Sequence, residues 1–180
     1  MFFRGDFMSN KKKRLITRTI ILVVLLGVVG FTLYQNLHKD KKVAIGDKAP
    51  NFKLETLDGE TFRLKDLEGK AVLINFWGTW CEPCKREMPL IQKAYEKYHK
   101  QGFEVVSIDQ KEAKFIVNKF IKQYGLTFPV MQDKDSKVNN MYNVYNLPAS
   151  FFVNREGKVV RMEEGEMKKK DLEKWIHEIL

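Results

Sequence analysis

Two cysteines make up the entire thiol content of the chain, and only Glu82 and Pro83 separate Cys81 from Cys84. A Cys-x-x-Cys spacing suits three chemistries: half of a tetrahedral zinc site, an inert cross-link, or a dithiol that cycles with its disulfide. Zinc requires two further ligands, and the three histidines, His38, His99 and His177, are scattered along the sequence. No metal site is expected from them. Closing so short a loop removes little entropy from the unfolded chain, so a purely structural bridge has little to contribute. Redox cycling is favoured, and the position of the pair in the fold must support it.

The neighbouring residues supply that position. Ala71-Val72-Leu73-Ile74-Asn75-Phe76-Trp77 is a nearly continuous apolar run of strand length, suited to a central strand covered on both faces. Beyond Cys84, Met88, Ile91, Ala94, Tyr95 and Tyr98 recur at helical spacing, with Pro89 expected to kink the early turns and Gly102 to end the segment. The pair therefore falls at a strand-to-helix junction. Unpaired amides and the positive end of the helix dipole favour a thiolate there. Cys81, at the first position, reads as the exposed nucleophile. Cys84, one turn in, reads as the shielded sulfur that resolves a mixed disulfide.

Asn51–Leu54 and Glu60–Leu64 alternate around Asp58-Gly59 as a hairpin, and Asp66–Lys70 is turn-like. Phe103–Ile108 alternates as a strand, Phe115 to Tyr124 reads as a helix closed by Gly125, and Phe128–Met131 as a short strand. Ser150–Val153 and Lys158–Arg161 flank the turn Asn154–Gly157, and Leu172, Trp175, Ile176 and Ile179 mark a final amphipathic helix. This order implies an α/β layer, with parallel strands in the first half and a hairpin in the second.

The net charge of +9 suggests nucleic acid until its distribution is considered. Residues 1–42 hold nine Lys and Arg against two Asp, which leaves residues 43–180 at +2. So nearly neutral a domain has no general footprint for a phosphate backbone. Thr19 to Leu37 carries no charged side chain and, as a helix, would extend about 28 Å, one hydrocarbon core. Lys11–Arg14 and Arg18 precede it, so the positive-inside rule keeps the N-terminus cytoplasmic and the domain outside. No A-x-A-like cleavage site follows the run, which favours an uncleaved anchor over a signal peptide. The expected division is a basic cytoplasmic N-terminus (1–18), a transmembrane signal-anchor (19–37), a tether (38–44) and the catalytic domain (45–180).

Phe76-Trp77-Gly78-Thr79-Trp80-Cys81-Glu82-Pro83-Cys84 resembles the active-site run of the thioredoxin superfamily. Ala49-Pro50-Asn51-Phe52, Asp66-Leu67-Glu68-Gly69-Lys70, Lys85-Arg86-Glu87-Met88-Pro89, Leu147-Pro148 and Asn154-Arg155-Glu156-Gly157-Lys158 are similar to its membrane-anchored TlpA/ResA-type branch. The resemblance implies a thioredoxin fold: a central mixed β-sheet flanked by helices, with an N-terminal β-hairpin extension, after one transmembrane helix. It implies a cis Pro148 facing the cysteines, and a substrate contact made by Trp80, Glu82, Pro83, Leu147 and Pro148. It implies no cofactor beyond the Cys81–Cys84 disulfide itself.

Thioredoxins themselves carry a buried Asp on the strand before the cysteines, where this chain has Asn75, which cannot exchange a proton. Glu87 lies one turn beyond Cys84, and ResA-type proteins carry a functional Glu there. The resemblance makes it a catalytic acid–base group beside Cys81 and Cys84; the plainer reading is a solvated acid in the first turns, favoured by the helix dipole. The implied function is reduction of disulfides in apocytochrome c on the outer face, fed by a CcdA-type membrane donor, by a domain that is monomeric. The alternatives are the same chemistry on other envelope or sporulation proteins, a peroxiredoxin-like peroxidase, or a non-catalytic binding module. Peroxiredoxins place Thr or Ser three residues before the reactive Cys, where this chain has Gly78. Ala149 stands where family members often have Thr, a departure that bears on substrate choice.

Overall fold

The computed structural model describes residues 7–37 and 43–180, in two separate compact units. The first is a single helix, α1 (Phe7–Leu37). It is longer than the uncharged run, because helix also forms through the basic segment before it. Within it Lys12–Tyr34, 23 residues, is long and apolar enough to cross a membrane. Most of the expected tether, including Lys39–Lys42, lies outside the described residues. Packing of the second unit begins at Val43, which is buried in its core.

That unit runs β1 (Lys53–Thr56), β2 (Thr61–Arg63), β3 (Ala71–Trp77), α2 (Glu82–Tyr98), β4 (Phe103–Asp109) and α3 (Lys114–Tyr124). It continues with β5 (Val130–Gln132), α4 (Lys137–Met141), β6 (Ala149–Val153), β7 (Val159–Glu164) and α5 (Lys169–Ile179). One seven-stranded sheet has the order β2-β1-β5-β4-β3-β6-β7. β3, β4 and β5 are parallel neighbours; β1 and β2, β1 and β5, β3 and β6, and β6 and β7 pair antiparallel. This is the expected mixed sheet flanked by helices, with the β1–β2 hairpin extending it through β5.

Every residue of β3 is buried, because α2, α3 and α5 cover one face of the sheet and α4 with the segments around Val43, Phe52 and Tyr142 covers the other. Side chains alternate, so Leu73 and Trp77 join a core beneath α2 and α5 with Met88, Ile91, Phe152 and Ile176. Val72, Ile74 and Phe76 join the opposite core with Ile108, Tyr142 and Phe151. The same parity directs Asn75, and Ser150 opposite it on β6, to the face covered by α2.

Three local details depart from the sequence pattern. β1 begins two residues later than the alternation suggests; ahead of it Asn51 Oδ1 accepts the Lys65 N–H (3.0 Å) and the Phe52 carbonyl accepts the Leu64 N–H (3.2 Å). Helix α4 was not anticipated: it buries only Val138 and is too short to show periodicity. It forms because the buried Asp133 carboxylate accepts the Val138 and Asn139 N–H groups (3.3 and 2.7 Å). α2 runs unbroken through Pro89, held by its buried face of Cys84, Met88, Ile91 and Tyr98.

Ile91 is completely enclosed between α2 and the sheet. Ile91→Ala should therefore destabilise the chain by about 2–5 kcal/mol, from lost transfer energy and the cavity left behind. Urea unfolding of the detergent-solubilised protein, with the m-value unchanged, checks this.

Candidate active site

β3 ends at Trp77, and α2 begins four residues after Gly78, at Glu82. Cys81 is the N-cap residue of α2; its Sγ accepts the Cys84 N–H at 3.3 Å, one of the amides that a helix start leaves unpaired. The two cysteines are joined as a disulfide, with Cα atoms 5.2 Å apart. Cys84 has no exposed surface, while Cys81 retains 5%. Cys81 is thus not the exposed residue its position suggests, although of the two it alone keeps any accessible surface. Pro83, half-buried in the first turn of α2, has no N–H to leave unsatisfied there.

Glu87 is not a solvated acid: none of its surface is exposed. It stands three residues after Cys84 on the buried face of α2, so the two side chains are neighbours on the helix. Its Oε1 accepts from Asn75 Nδ2 (2.9 Å), and its Oε2 accepts the Met167 N–H (3.2 Å). Asn75 Nδ2 also donates to Ser150 Oγ (3.0 Å), while Asn75 Oδ1 is buried without a partner. Burial pushes the Glu87 carboxyl up from 4.5 to about 7, against the two donors, which favour the anion. The structure thus brings a proton-exchanging group and an amide that cannot exchange protons together behind Cys84. Ser150 and the Met167 amide had no signal in the sequence, because they reach the site from strands and loops more than sixty residues away.

The other sequence-predicted residues fall around the disulfide with different exposures. Trp80 is 64% exposed beside Cys81. Glu82 is exposed and paired with Lys85, which holds its carboxyl below the usual range. Leu147 packs against the cluster that contains Cys81 and Cys84. The Leu147–Pro148 peptide bond is cis, and Pro148 is buried with its carbonyl accepting the Gly165 N–H (2.8 Å). Since Ala149 pairs with Phe76, Pro148 lies level with the end of β3, from which the cysteine loop departs. Among the described residues no group of three or more His, Cys, Asp or Glu is placed to hold a metal ion.

Residues 45–162 match the AhpC/TSA family model. This chain belongs to the AhpC/TSA family, in the thioredoxin superfamily. Among curated members it is 48% identical over 170 residues to the thiol-disulfide oxidoreductase ResA of Bacillus cereus (strain ZK / E33L), covering 94% of this chain and 98% of that one. A thiol:disulfide interchange protein of the thioredoxin family from Chlorobium tepidum TLS superposes with a TM-score of 0.70 at 29% identity, over 76% of this chain and 97% of that one. StoA from Bacillus subtilis superposes with a TM-score of 0.62 at 28% identity, over 70% and 96% of the two chains. Within the AhpC/TSA family, then, this chain is a thiol–disulfide oxidoreductase, with Cys81–Cys84 as its disulfide.

Because burial raises the folded-state pKa of Glu87 from 4.5 to about 7, the folded chain holds a proton that the unfolded chain releases between those values. Stability of the disulfide form should therefore fall as pH rises from about 4.5 to about 7, and Glu87 should account for roughly 3 kcal/mol of that fall. Asp109, raised to about 8 chiefly by burial, adds to the slope in the same direction. Comparing wild type with Glu87→Gln isolates the Glu87 part: denaturant melts across this range should show a shallower slope in the variant.

Proposed function

We propose that this oxidoreductase works as a reductant on the outer face of the membrane, opening disulfides in apocytochrome c so that haem can be attached. The observation that carries the direction is Glu87, buried three residues behind Cys84 with its carboxyl near neutrality. A strong oxidant stabilises its reduced dithiol as a thiolate. A carboxyl that becomes anionic in a dry site disfavours that thiolate and raises the thiol pKa, which favours giving electrons away.

The chemistry follows from the exposures. The Cys81 thiolate attacks one sulfur of the substrate disulfide, and the other substrate sulfur leaves and takes a proton. Cys84 then loses its proton to Glu87 and attacks Cys81 Sγ, which closes the Cys81–Cys84 disulfide and expels the second substrate sulfur as a thiolate; that thiolate takes up a proton from solvent, and Glu87 gives its own back to solvent. Two electrons and two protons pass to the substrate. A CcdA-type membrane donor, as in the ResA-type proteins the sequence resembles, returns them. Trp80, Pro83 and the Leu147–Pro148 segment receive the substrate chain, with Glu82 at the edge of the contact. α1 is the anchor, and Lys12, Lys13, Arg14 and Arg18 at its start favour a cytoplasmic N-terminus. Ala149 after Pro148, together with the fold likeness to StoA, supports a second reading in which another envelope or sporulation protein is the substrate.

Cys84→Ser should trap a mixed disulfide through Cys81 with an oxidised Cys-x-x-Cys-His peptide, seen on a non-reducing gel and lost with Cys81→Ser. A reduction potential for the wild-type pair near thioredoxin's, about −270 mV, is expected; a value near −120 mV would reverse the direction. External protease should digest the domain on intact protoplasts if it faces outward. A cytochrome c deficit in a deletion strain, restored by wild type and not by Cys81→Ser, separates the two substrate readings.

A further inference from the structure

Glu112 follows β4, the neighbour of β3 on the side away from β6, and the mechanism above makes no use of it. Its carboxylate accepts two hydrogen bonds from one residue, Thr79 N–H to Oε2 and Thr79 Oγ–H to Oε1, each 2.5 Å. Thr79 lies two residues before Cys81. Glu112 is itself fixed along its backbone: its N–H donates to Asp109 Oδ1 (3.2 Å), and its carbonyl accepts from Gln132 Nε2 (2.7 Å). Asp109 is completely buried, with Oδ2 lacking a partner. Burial, reinforced by the Glu112 carboxylate beside it, pushes the Asp109 carboxyl up to about 8.

Gly78 completes the arrangement. A Cβ built on it would lie 2.8 Å from Trp80 Nε1 and 3.3 Å from Glu112 Oε2. The indole edge and the carboxylate both occupy space that any other residue at position 78 would fill. Trp80 is nevertheless 64% exposed. A large, half-free side chain beside a reactive sulfur loses conformational entropy when a partner binds it, unless its backbone is already held.

We propose that Glu112 is a positioning residue for disulfide exchange: by gripping Thr79 at both its amide and its hydroxyl, it holds the Gly78–Trp80 turn so that the indole stands ready beside Cys81 for the substrate chain. The proposal rests on the exchange activity and is independent of which envelope protein is the substrate. Glu112 touches no reacting atom; it acts through Thr79 and the turn. The charge-assisted pair of bonds on one residue supplies the stiffness, and the bare Gly78 supplies the room.

The test uses the reduced full chain in detergent with an oxidised, flanked Cys-x-x-Cys peptide, and the wild-type rate is measured first. A failure of the peptide as substrate then shows in wild type, and a failure of the proposal shows only in the variants. Glu112→Ala should slow exchange about tenfold, and Thr79→Val about threefold. Glu112→Gln, whose amide oxygen still accepts the Thr79 N–H, should stay within about threefold of wild type. Combining Glu112→Ala with Thr79→Val should cost little more than Glu112→Ala alone, since both break one contact. In protein labelled with 5-fluorotryptophan, the ¹⁹F resonance assigned by Trp80→Phe should shift or broaden in Glu112→Ala while that of Trp175 stays in place. Should Glu112→Ala not fold, Thr79→Val carries the test through its roughly threefold slower exchange and a shifted Trp80 resonance. Unchanged exchange rates, losses that simply multiply in the double variant, or an unmoved Trp80 resonance would overturn the proposal.

Discussion

A carboxyl group without exposed surface sits on the buried face of α2, three residues inside from Cys84, and much of the domain's architecture serves to keep it there. An ionised carboxylate in an apolar interior is costly unless it is hydrogen-bonded, and Glu87 has two donors from distant parts of the chain. Asn75 reaches it because β3 is central and its odd-numbered side chains face α2. The Met167 amide reaches it because the segment between β7 and α5 folds back over the same core, where Met167 itself is buried. The two donors and the desolvation oppose each other, and their balance leaves the carboxyl near neutrality. Moved one position back, to that of the exposed Arg86, the same residue would face solvent and behave as an ordinary surface acid.

The cysteine loop is held from two sides. Behind it is the Glu87–Asn75–Ser150 chain, which links α2, β3 and β6 through buried polar groups. In front of it Glu112, placed by the end of β4, holds Thr79. Both depend on β3 lying between its neighbours β4 and β6 in the sheet, so that groups from each arrive at the end where the loop leaves. Rigidity matters here because Cys81 keeps little exposed surface, and a small displacement of the loop would change its access.

Much of the fold was legible in the chain. The continuous apolar run at 71–77, the helical spacing after Cys84 and the turn residues around Gly59 and Gly157 follow from local steric and burial rules that need no partner. The uncharged N-terminal run with basic residues before it is likewise a local property, although α1 extends further toward the N-terminus than the run itself. Helix α4 was not legible: a carboxylate from the preceding loop forms it, and no periodicity marks five residues that bury one side chain.

At the site, the sequence by itself determined the disulfide pair and its place at a strand-to-helix junction, because the apolar strand run and the helical spacing on either side of Cys81 and Cys84 are local properties. It also determined that Asn75 cannot exchange a proton. Tertiary structure alone decided whether Glu87 was a surface acid or a buried one, since helical spacing places it near Cys84 but does not state what covers that face. Tertiary structure alone brought in Ser150, the Met167 amide, Asp109 and Glu112. Their roles come from strand order and register, which join residues far apart in sequence, and hydrogen-bonding capacity becomes specific only when burial removes water as the competing partner.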